Sequence, residues 1–176
     1  MTMPDDGEVR ALARRIEVIE AVEAIKKMKY RYWRACDAKD PDGFRRCFIA
    51  RGASIDYGRL GRHDDVEPIL RIYRDIALRK VNGQYVVLDM HHGFHPDIEL
   101  VGPGEATGRW TLRMRQIDIE RGTETVMAGE YDDRYVIEDG KWKHSQCHFR
   151  VLWSISRPIG PEVTILGSNG QCVSGL

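Results

Sequence analysis

The chain of 176 residues lacks the features that would place it at once among nucleic-acid-binding or membrane proteins. Its 27 basic and 27 acidic residues cancel, so it has no basic surplus of the kind that phosphate contacts require. No apolar run approaches the roughly 18–20 residues that span a bilayer. The N-terminal stretch, 1–15, is polar and has no signal-peptide core. We therefore expect neither a nucleic-acid nor a membrane partner.

Cysteines are few, and their spacing does not suggest a metal or redox motif. The four cysteines show no Cys-x-x-Cys pair; they are Cys36, Cys47, Cys147 and Cys172. A phosphate-binding glycine loop and a nucleophile elbow are also missing from the sequence. We expect reduced thiols in a cytoplasmic protein.

The first half of the chain has helical periodicity. Residues 1–8 are expected to be a flexible leader, and a helix is predicted from Val9 to about Asp37. A short helix should follow at Pro41, and another is predicted over about 64–78. The apolar residues of the first helix, at spacings of three, four and six, form one amphipathic stripe: Leu12, Ile16, Ile19, Ile25, Met28, Tyr32 and Cys36.

The second half alternates in the manner of β-strands. A short strand is predicted at 53–58, and four long strands follow at 90–100, 107–119, 124–137 and 141–153. Helices followed by a meander of antiparallel strands are typical of an α+β domain. A strongly curved, mostly antiparallel sheet around the helices would form a cone with a pocket inside. We expect a single domain over 9–157 and a C-terminal tail over 158–176.

Three of the six histidines fall within five residues, at His91, His92 and His95. On a strand, His91 and His95 would share one face and His92 would point away. A titratable ring on an inner face needs a partner. Asp37, at the end of the helical stripe, could accept the Nδ1 hydrogen of His91, which would make a general base with an orienting carboxylate. The alternative is that Asp37 caps a loop or pairs with a surface arginine.

Two tyrosines and one strand face are further candidates. Tyr32 lies five residues before Asp37 and could flank the same cavity. Tyr57 could donate to a substrate oxygen, or it could be an ordinary rim or core tyrosine. On the last strand one face is polar and is either solvated or the wall of a pocket; it carries His144, Gln146, His148 and Arg150. The histidines do not complete a metal-ligand set, so no metal is expected.

Several runs of residues carry a family likeness. They are Glu23–Lys29 with Tyr32–Asp37, Met90–Gly93 with Pro96–Ile98, Ala106–Trp110, and Tyr131 with Asp139–Trp142. With these runs, the chain resembles the SnoaL-like branch of the NTF2-like superfamily (the cystatin-like α+β cone) and, within it, the bile acid 7α-dehydratases. Scytalone dehydratases and hexachlorocyclohexane dehydrochlorinases are similar in using a His–Asp pair in this cone.

The resemblance implies a cofactor-independent lyase (dehydratase) or isomerase that uses His–Asp general base catalysis. It implies catalytic roles for His91, Asp37, Tyr32 and Tyr57. Substrate-binding positions are expected at Trp110, Met114, Tyr131, His148, Arg150 and His95. It further implies no metal, no organic cofactor and a homo-oligomer, with a trimer favoured.

Two departures keep the substrate open. Met114 stands where the bile acid enzymes have an acidic residue, and His148 stands where they have a tyrosine. The expected ligand is a small hydrophobic molecule, polycyclic and steroid-like or aromatic. The alternatives are a non-catalytic small-molecule-binding or assembly module, such as a dioxygenase small-subunit-like protein, and an epoxide hydrolase or polyketide-cyclase-like isomerase.

Overall fold

A computed structural model describes residues 5–167 and 172–173 of the protein. Its helices are α1 (Asp6–Asp37), α2 (Pro41–Arg45) and α3 (Glu67–Ala77). A single 3-10 turn at Gly58–Leu60 follows the first strand. The strands are β1 (Ser54–Asp56), β2 (Arg62–His63), β3 (Lys80–Val81), β4 (Gln84–Tyr85), β5 (Val87–Gly102), β6 (Glu105–Asp118), β7 (Thr123–Glu138) and β8 (Lys141–Pro158).

Six strands form one sheet in the order β2-β1-β8-β7-β6-β5. All neighbours are antiparallel except β1 and β8, which run parallel. The buried part of α1 packs on one face of this sheet, which we call the inner face, and the opposite side is the outer face. The predicted α+β cone is confirmed.

Several element boundaries differ from those that the sequence predicts. Helix α1 begins at Asp6 rather than Val9, because Asp5 and Glu8 form a reciprocal capping box at its start. Strand β8 continues to Pro158, beyond its predicted end at Trp153. The Asn82-Gly83 pair indicates a linker over 80–84, but this stretch is part of a hairpin between β3 and β4. Residues 1–4 of the expected leader, and 168–171 and 174–176 of the expected tail, lie outside the described residues.

The apolar stripe of α1 is divided between core and solvent. Its second half, from Ile25 to Cys36, is buried against the sheet. Its first half is not: the side chains of Leu12, Ile16 and Ile19 are 55%, 46% and 61% exposed. The stripe therefore does not face the core along its whole length, as continuous periodicity suggests, because the helix outruns the sheet.

Alternation along the long strands sets the two faces of the sheet. On β6 the buried side chains are Trp110, Leu112 and Met114, and the exposed ones between them include Arg109, Arg113 and Arg115. Strand pairing carries this division across the sheet, since residues in register share a face. In the described part of the chain, no helix combines the length and the apolar character needed to cross a membrane.

Candidate active site

His91 and Asp37 form a close pair at the end of α1. Asp37 is the last residue of the helix, and His91 lies on β5 opposite Met114. Nδ1 of His91 is 2.6 Å from Oδ1 of Asp37. The backbone N–H of His91 also donates to Asp37 Oδ1 and Oδ2, at 3.1 and 3.2 Å. Three contacts therefore hold this carboxylate against the strand.

The hydrogen bond to Asp37 determines which nitrogen of His91 can act as a base. A carboxylate only accepts, so the ring hydrogen lies on Nδ1 and the neutral ring presents Nε2 as an acceptor. Nε2 has no hydrogen-bond partner among residues 5–167 and 172–173. The side chains of His91 and Asp37 are 13% and 26% exposed, so a small molecule can approach them.

A second ion pair joins the same two elements. Lys39, just beyond α1, places its ammonium 2.8 Å from Oδ1 of Asp89, two residues before His91 on β5. Both side chains are nearly buried, at 4% and 11% exposure. Lys39 has a φ of 60°, a left-handed conformation that costs energy for a residue with a side chain. The ion pair thus fixes the chain directly after Asp37.

The two predicted tyrosines contact each other rather than the His91–Asp37 pair. Their hydroxyl oxygens are 2.8 Å apart, and the Tyr57 hydroxyl donates to Sγ of Cys147 at 3.4 Å. Burial raises the pKa of Tyr32 and of Tyr57 well above the usual value. Both phenols therefore stay protonated. Tyr32 lies about 7.5 Å along the helix axis from Asp37, at 1.5 Å per residue.

Beneath the tyrosines lies a buried ionic cluster that the sequence analysis did not identify. The Lys29 ammonium is 2.6 Å from Oδ2 of Asp133, and both side chains have no exposed surface. The same ammonium lies 3.6 Å from the ring centre of Tyr131 and 4.7 Å from that of Tyr32. The Tyr135 hydroxyl also donates to Asp133, at 2.8 Å. Lys29 therefore links α1 to β7 through a buried ion pair.

Burial and charge act against each other on this cluster. Burial alone would raise the pKa of Asp133, but the neighbouring Lys29 and His144 outweigh it and hold that pKa at about 2. Burial and the Lys29 charge lower the pKa of His144. Burial, with the Asp133 charge, raises the pKa of Cys147 to about 12. At neutral pH the ion pair is formed, while His144 and Cys147 are uncharged.

The three clustered histidines do not share faces as alternation predicts. The pairing of β5 with β6 shifts register between Phe94 and Asp97, and His95 has a φ of 51°. Because of this bulge, Nδ1 of His95 lies 2.7 Å from Oγ1 of Thr111, a residue of the outer face. His95 is therefore not on the inner face with His91.

The polar face predicted for the last strand is also divided. A register shift between β7 and β8 at Arg134 and Tyr135 turns His144 inward, where it is fully buried. His148 pairs with Asp132, hydrogen-bonds Ser54 Oγ at 2.8 Å and follows the outer alternation. Arg150 likewise follows the outer alternation; its side chain is 74% exposed and forms an ion pair with Glu130 at 2.7 Å. Neither His148 nor Arg150 shares a face with His91.

An open cleft of about 1160 Å³ borders the long strands. Five of the six predicted substrate-binding residues line it: Trp110, Tyr131, His148, Arg150 and His95. Met114 is not among the lining residues, nor are Tyr32, Tyr57, Asp37 and His91. The four catalytic candidates therefore do not converge on this cleft.

One row of residues across the inner face connects the two regions. Strand pairing places His91 opposite Met114, Met114 opposite Met127, and Met127 opposite Ser154. Met127 and Ser154 line the cleft. With strands about 4.8 Å apart, His91 and Met127 are separated by about 10 Å across the sheet. A ligand of a few fused rings could extend along the row from the cleft to His91.

Among the residues that the structure describes, two groups of side chains have ligand atoms close enough together to hold a metal ion. They are Asp37, Asp89 and His91, and the buried Asp133, His144 and Cys147. In each group a lysine ammonium is already present, from Lys39 on Asp89 and from Lys29 on Asp133. The lysines supply the positive charge that a metal would otherwise bring. The absence of a metal stays a prediction.

Comparison with known proteins identifies the family. The family model of the SnoaL-like domain matches residues 17–148, which is most of the chain and includes the whole of β5, β6 and β7. The chain belongs to the SnoaL-like family. The matched range includes both His91 and Asp37, but it ends at residue 148, so the C-terminal part of β8 lies outside it.

Several solved structures share this fold. A Novosphingobium aromaticivorans protein, assigned provisionally as a scytalone dehydratase, superposes with a TM-score of 0.69 at 19% identity, over 83% of this chain and 95% of its own. The hexachlorocyclohexane dehydrochlorinase of Novosphingobium barchaimii gives 0.71 at 14% identity, over 87% and 99%. A Mycobacterium tuberculosis protein of unknown function gives 0.59 at 24% identity, over 80% and 75%. At these identities the likeness shows the fold.

Proposed function

We propose that the protein is a cofactor-independent lyase or isomerase, with a dehydratase-type elimination as the favoured reaction. The observation that carries this proposal is the contact of 2.6 Å between His91 Nδ1 and Asp37, which leaves Nε2 available as a base. Structural neighbours described as a scytalone dehydratase and a dehydrochlorinase support an elimination.

In the proposed reaction, His91 acts as the general base. Nε2 takes a proton from a carbon next to a carbonyl group, and the electrons of the C–H bond pass to the carbonyl oxygen as an enolate. Asp37 stabilises the imidazolium that results. The enolate then expels the leaving hydroxyl, which receives the proton from Nε2 and departs as water. His91 returns to its starting state, so the cycle is balanced without a cofactor. Return of the proton to another carbon instead gives an isomerase.

The tyrosines are assigned hydrogen-bonding rather than proton-transfer roles. Because burial holds the pKa of Tyr32 and of Tyr57 so high, transfer of their protons would be costly. A neutral phenol can still donate to an oxygen that becomes negative. Tyr32 and Tyr57 therefore stabilise the substrate oxygen in this proposal, after their mutual hydrogen bond rearranges.

A hydrophobic substrate of several rings, steroid-like or aromatic, fits best along the row on the inner face that runs from His91 to Ser154. Met114 and Met127 give the stretch between His91 and the cleft a thioether surface. Methionine packs against irregular apolar ligands and contacts aromatic rings favourably. The outer residues His148, Arg150 and His95 would reach only a polar end of such a ligand at the mouth of the cleft.

The test is a screen of ketosteroids, hydroxysteroids and aromatic degradation intermediates for loss of a hydroxyl, a halide or a mobile proton. On a compound that the wild type converts, His91→Ala should lower kcat/KM by at least about 100-fold, the lower range for general base catalysis. His92→Ala is the matched control, because it changes the exposed neighbour on the opposite face. Full activity of His91→Ala would rule out the mechanism.

A non-catalytic binding module is the second candidate. It is favoured by the cleft lining, which includes none of Tyr32, Tyr57, Asp37 and His91. On this alternative, compounds from the same screen would bind, as measured by calorimetry, without being converted by the wild type. His91→Ala would then leave their affinity unchanged.

We also propose a cytoplasmic homo-oligomer, with a trimer favoured, as the family resemblance implies. The thiols of Cys36, Cys47 and Cys147 are buried, which suits a reducing compartment. Exposed apolar side chains on the outer face of the sheet support assembly; they include Met90, Phe94, Trp153 and Ile155. Light scattering coupled to size-exclusion chromatography measures the number of copies.

A further inference from the structure

The N-terminal half of α1 carries an exposed line of apolar side chains. Every residue from Asp6 to Glu20 is exposed. Four of these residues form what we call the N-terminal seam: Val9, Leu12, Ile16 and Ile19, with exposed fractions of 52%, 55%, 46% and 61%. A free helix of about 15 residues is only marginally stable in water. A packing partner along this half would therefore add to the stability that it takes from the rest of α1.

The spacing of the seam is that of a coiled coil. Steps of three, four and three residues place Val9 and Ile16 at heptad position a, and Leu12 and Ile19 at position d. The β-branched Val9 and Ile16 at a, with Leu12 at the first d position, suit packing against a parallel copy, and Ile19 adds an apolar layer at the second d position. Two heptads are short for a free coiled coil. Here, however, the buried second half of α1 has already nucleated the helix.

The charges beside the seam favour a parallel arrangement. Arg15 occupies position g and Glu20 the following position e. In a parallel pair in register, Arg15 of each copy lies beside Glu20 of the other, which gives two interhelical ion pairs. An antiparallel pair that keeps the same apolar layers would bring the two Arg15 side chains together. Self-association in parallel satisfies both the apolar line and the flanking charges.

We propose that residues 6–20 of α1 form a parallel, in-register coiled coil with the same segment of a second copy of this chain. The capping box of Asp5 and Glu8 fixes the beginning of the helix just before the first seam residue. This interface is separate from the inner face of the sheet and from the His91–Asp37 pair. It does not depend on the proposed chemistry.

Cysteine crosslinking tests the register and the orientation. In a Cys172→Ser background, Leu12→Cys places a thiol at a d position, where the two copies meet directly. Mild oxidation should give a disulfide-linked dimer on a non-reducing gel. Val18→Cys is the matched control, because Val18 is 47% exposed on the same helix but lies off the seam. Absence of the dimer with Leu12→Cys, or equal crosslinking at both positions, would overturn the proposal.

Charge reversal in the Leu12→Cys protein tests the ion pairs. Arg15→Glu and Glu20→Arg each place like charges opposite one another in a parallel pair. Each single change should therefore abolish the crosslinked dimer. The double variant restores opposite charges and should restore the dimer. If none of the three variants changes the yield of the crosslinked dimer, the parallel arrangement of the seam is contradicted.

Hydrogen exchange shows what covers the seam in the unmodified protein. Amide protection over residues 6–20 should rise with protein concentration in the wild type. Ile16→Glu should abolish that protection, and the off-seam control Val18→Glu should retain it. Protection that is high at every concentration would show that the seam is covered by its own chain. Protection that is low at every concentration would show that it is bare. Either result overturns the proposal.

Discussion

Lys29 and Asp133 form a buried ion pair that joins α1 to β7. Lys29 lies four residues after Ile25 and three before Tyr32, and so within the apolar stripe of α1. Asp133 alternates with Tyr131 and Tyr135 on the buried side of β7. Each is a charge at an apolar position. Their meeting depends on how α1 crosses the sheet, and neither local pattern contains that information.

Removing one member of the buried pair should be costly. Lys29→Met leaves the Asp133 carboxylate buried without its cation, and the free energy of unfolding should fall by about 3–5 kcal/mol in urea titrations. The double variant Lys29→Met with Asp133→Asn should recover most of the loss. The control is Lys26→Met, which removes the exposed pair with Glu23 on the same helix and should cost less than about 1 kcal/mol. Equal losses at Lys29 and Lys26 would contradict the structure.

At the candidate site, contact between His91 and Asp37 could be predicted, and the placement of His95 could not. To predict the contact, it is enough to know where the helix ends, which face of the strand His91 occupies and which family the chain resembles. The placement of His95 depends on a bulge, which arises where the hydrogen bonds of β5 and β6 lose their register. Alternation within one strand does not reveal such a shift.

Among the elements, β5 and α1 fit together through the absence of one side chain. Gly93 lies two residues after His91, and a Cβ built there would be 1.8 Å from Cη2 of Trp33. The helix can approach this strand closely only at Gly93, where the strand has no side chain. This role cannot be predicted from the sequence, because a glycine within a strand pattern does not show which ring occupies its space.

Gly93→Ala should therefore weaken the contact between α1 and β5. Trp33 or the helix must move, and overpacking of this kind costs about 1–3 kcal/mol of unfolding free energy. Gly102→Ala on the same strand is the control, since its nearest neighbouring atom would be 3.8 Å from the new Cβ. Urea unfolding of both variants measures the difference. A stability for Gly93→Ala equal to that of Gly102→Ala would show that the packing is looser than described.

The helix elements also show the limit of periodicity. The stripe of α1 is continuous in sequence, but its buried part begins only at Ile25, and every residue from Asp6 to Glu20 is exposed. On β8, two register shifts relative to β7 change which residues share a face. In α1 the extent of the neighbouring sheet decides which part of the stripe is buried, and in β8 the register with β7 decides which residues share a face.

At the scale of the whole molecule, the order of elements was sufficient to predict the α+β class. Helices followed by four long antiparallel strands have few ways to bury one apolar face. The cleft is less predictable, because its walls come from residues of both sheet faces and its mouth depends on sheet curvature. The sequence thus indicates that a cone exists, without indicating how open it is.

Acid should destabilise the whole fold through two buried groups. The pKa of Asp133 is about 2 in the folded protein, compared with 3.8 for an unperturbed aspartate in the unfolded chain. The stability that Asp133 contributes is therefore present above pH 3.8 and is lost as the pH falls towards 2. His144 is buried uncharged, with a pKa below 6.5, so its contribution begins to be lost as the pH falls below 6.5. Both effects have the same sign.

The free energy of unfolding, from urea titrations at several pH values, should therefore decrease as the pH falls below 6.5. His144→Gln should flatten the first part of this decrease. His92→Gln, at an exposed position, should leave it unchanged. Stability that rises as the pH is lowered from 6.5 would contradict a neutral buried His144.

Helix α1 joins the exposed N-terminal seam to the His91–Asp37 pair and holds the two far apart. From Ile19 to Asp37 the axis advances about 27 Å, at 1.5 Å per residue. A change of side chain at the exposed end is therefore insulated from the carboxylate at the other end by about five helical turns. Copies could join or separate at that end while each His91–Asp37 pair kept its own geometry. Gain or loss of assembly and gain or loss of chemistry would then be independent in evolution.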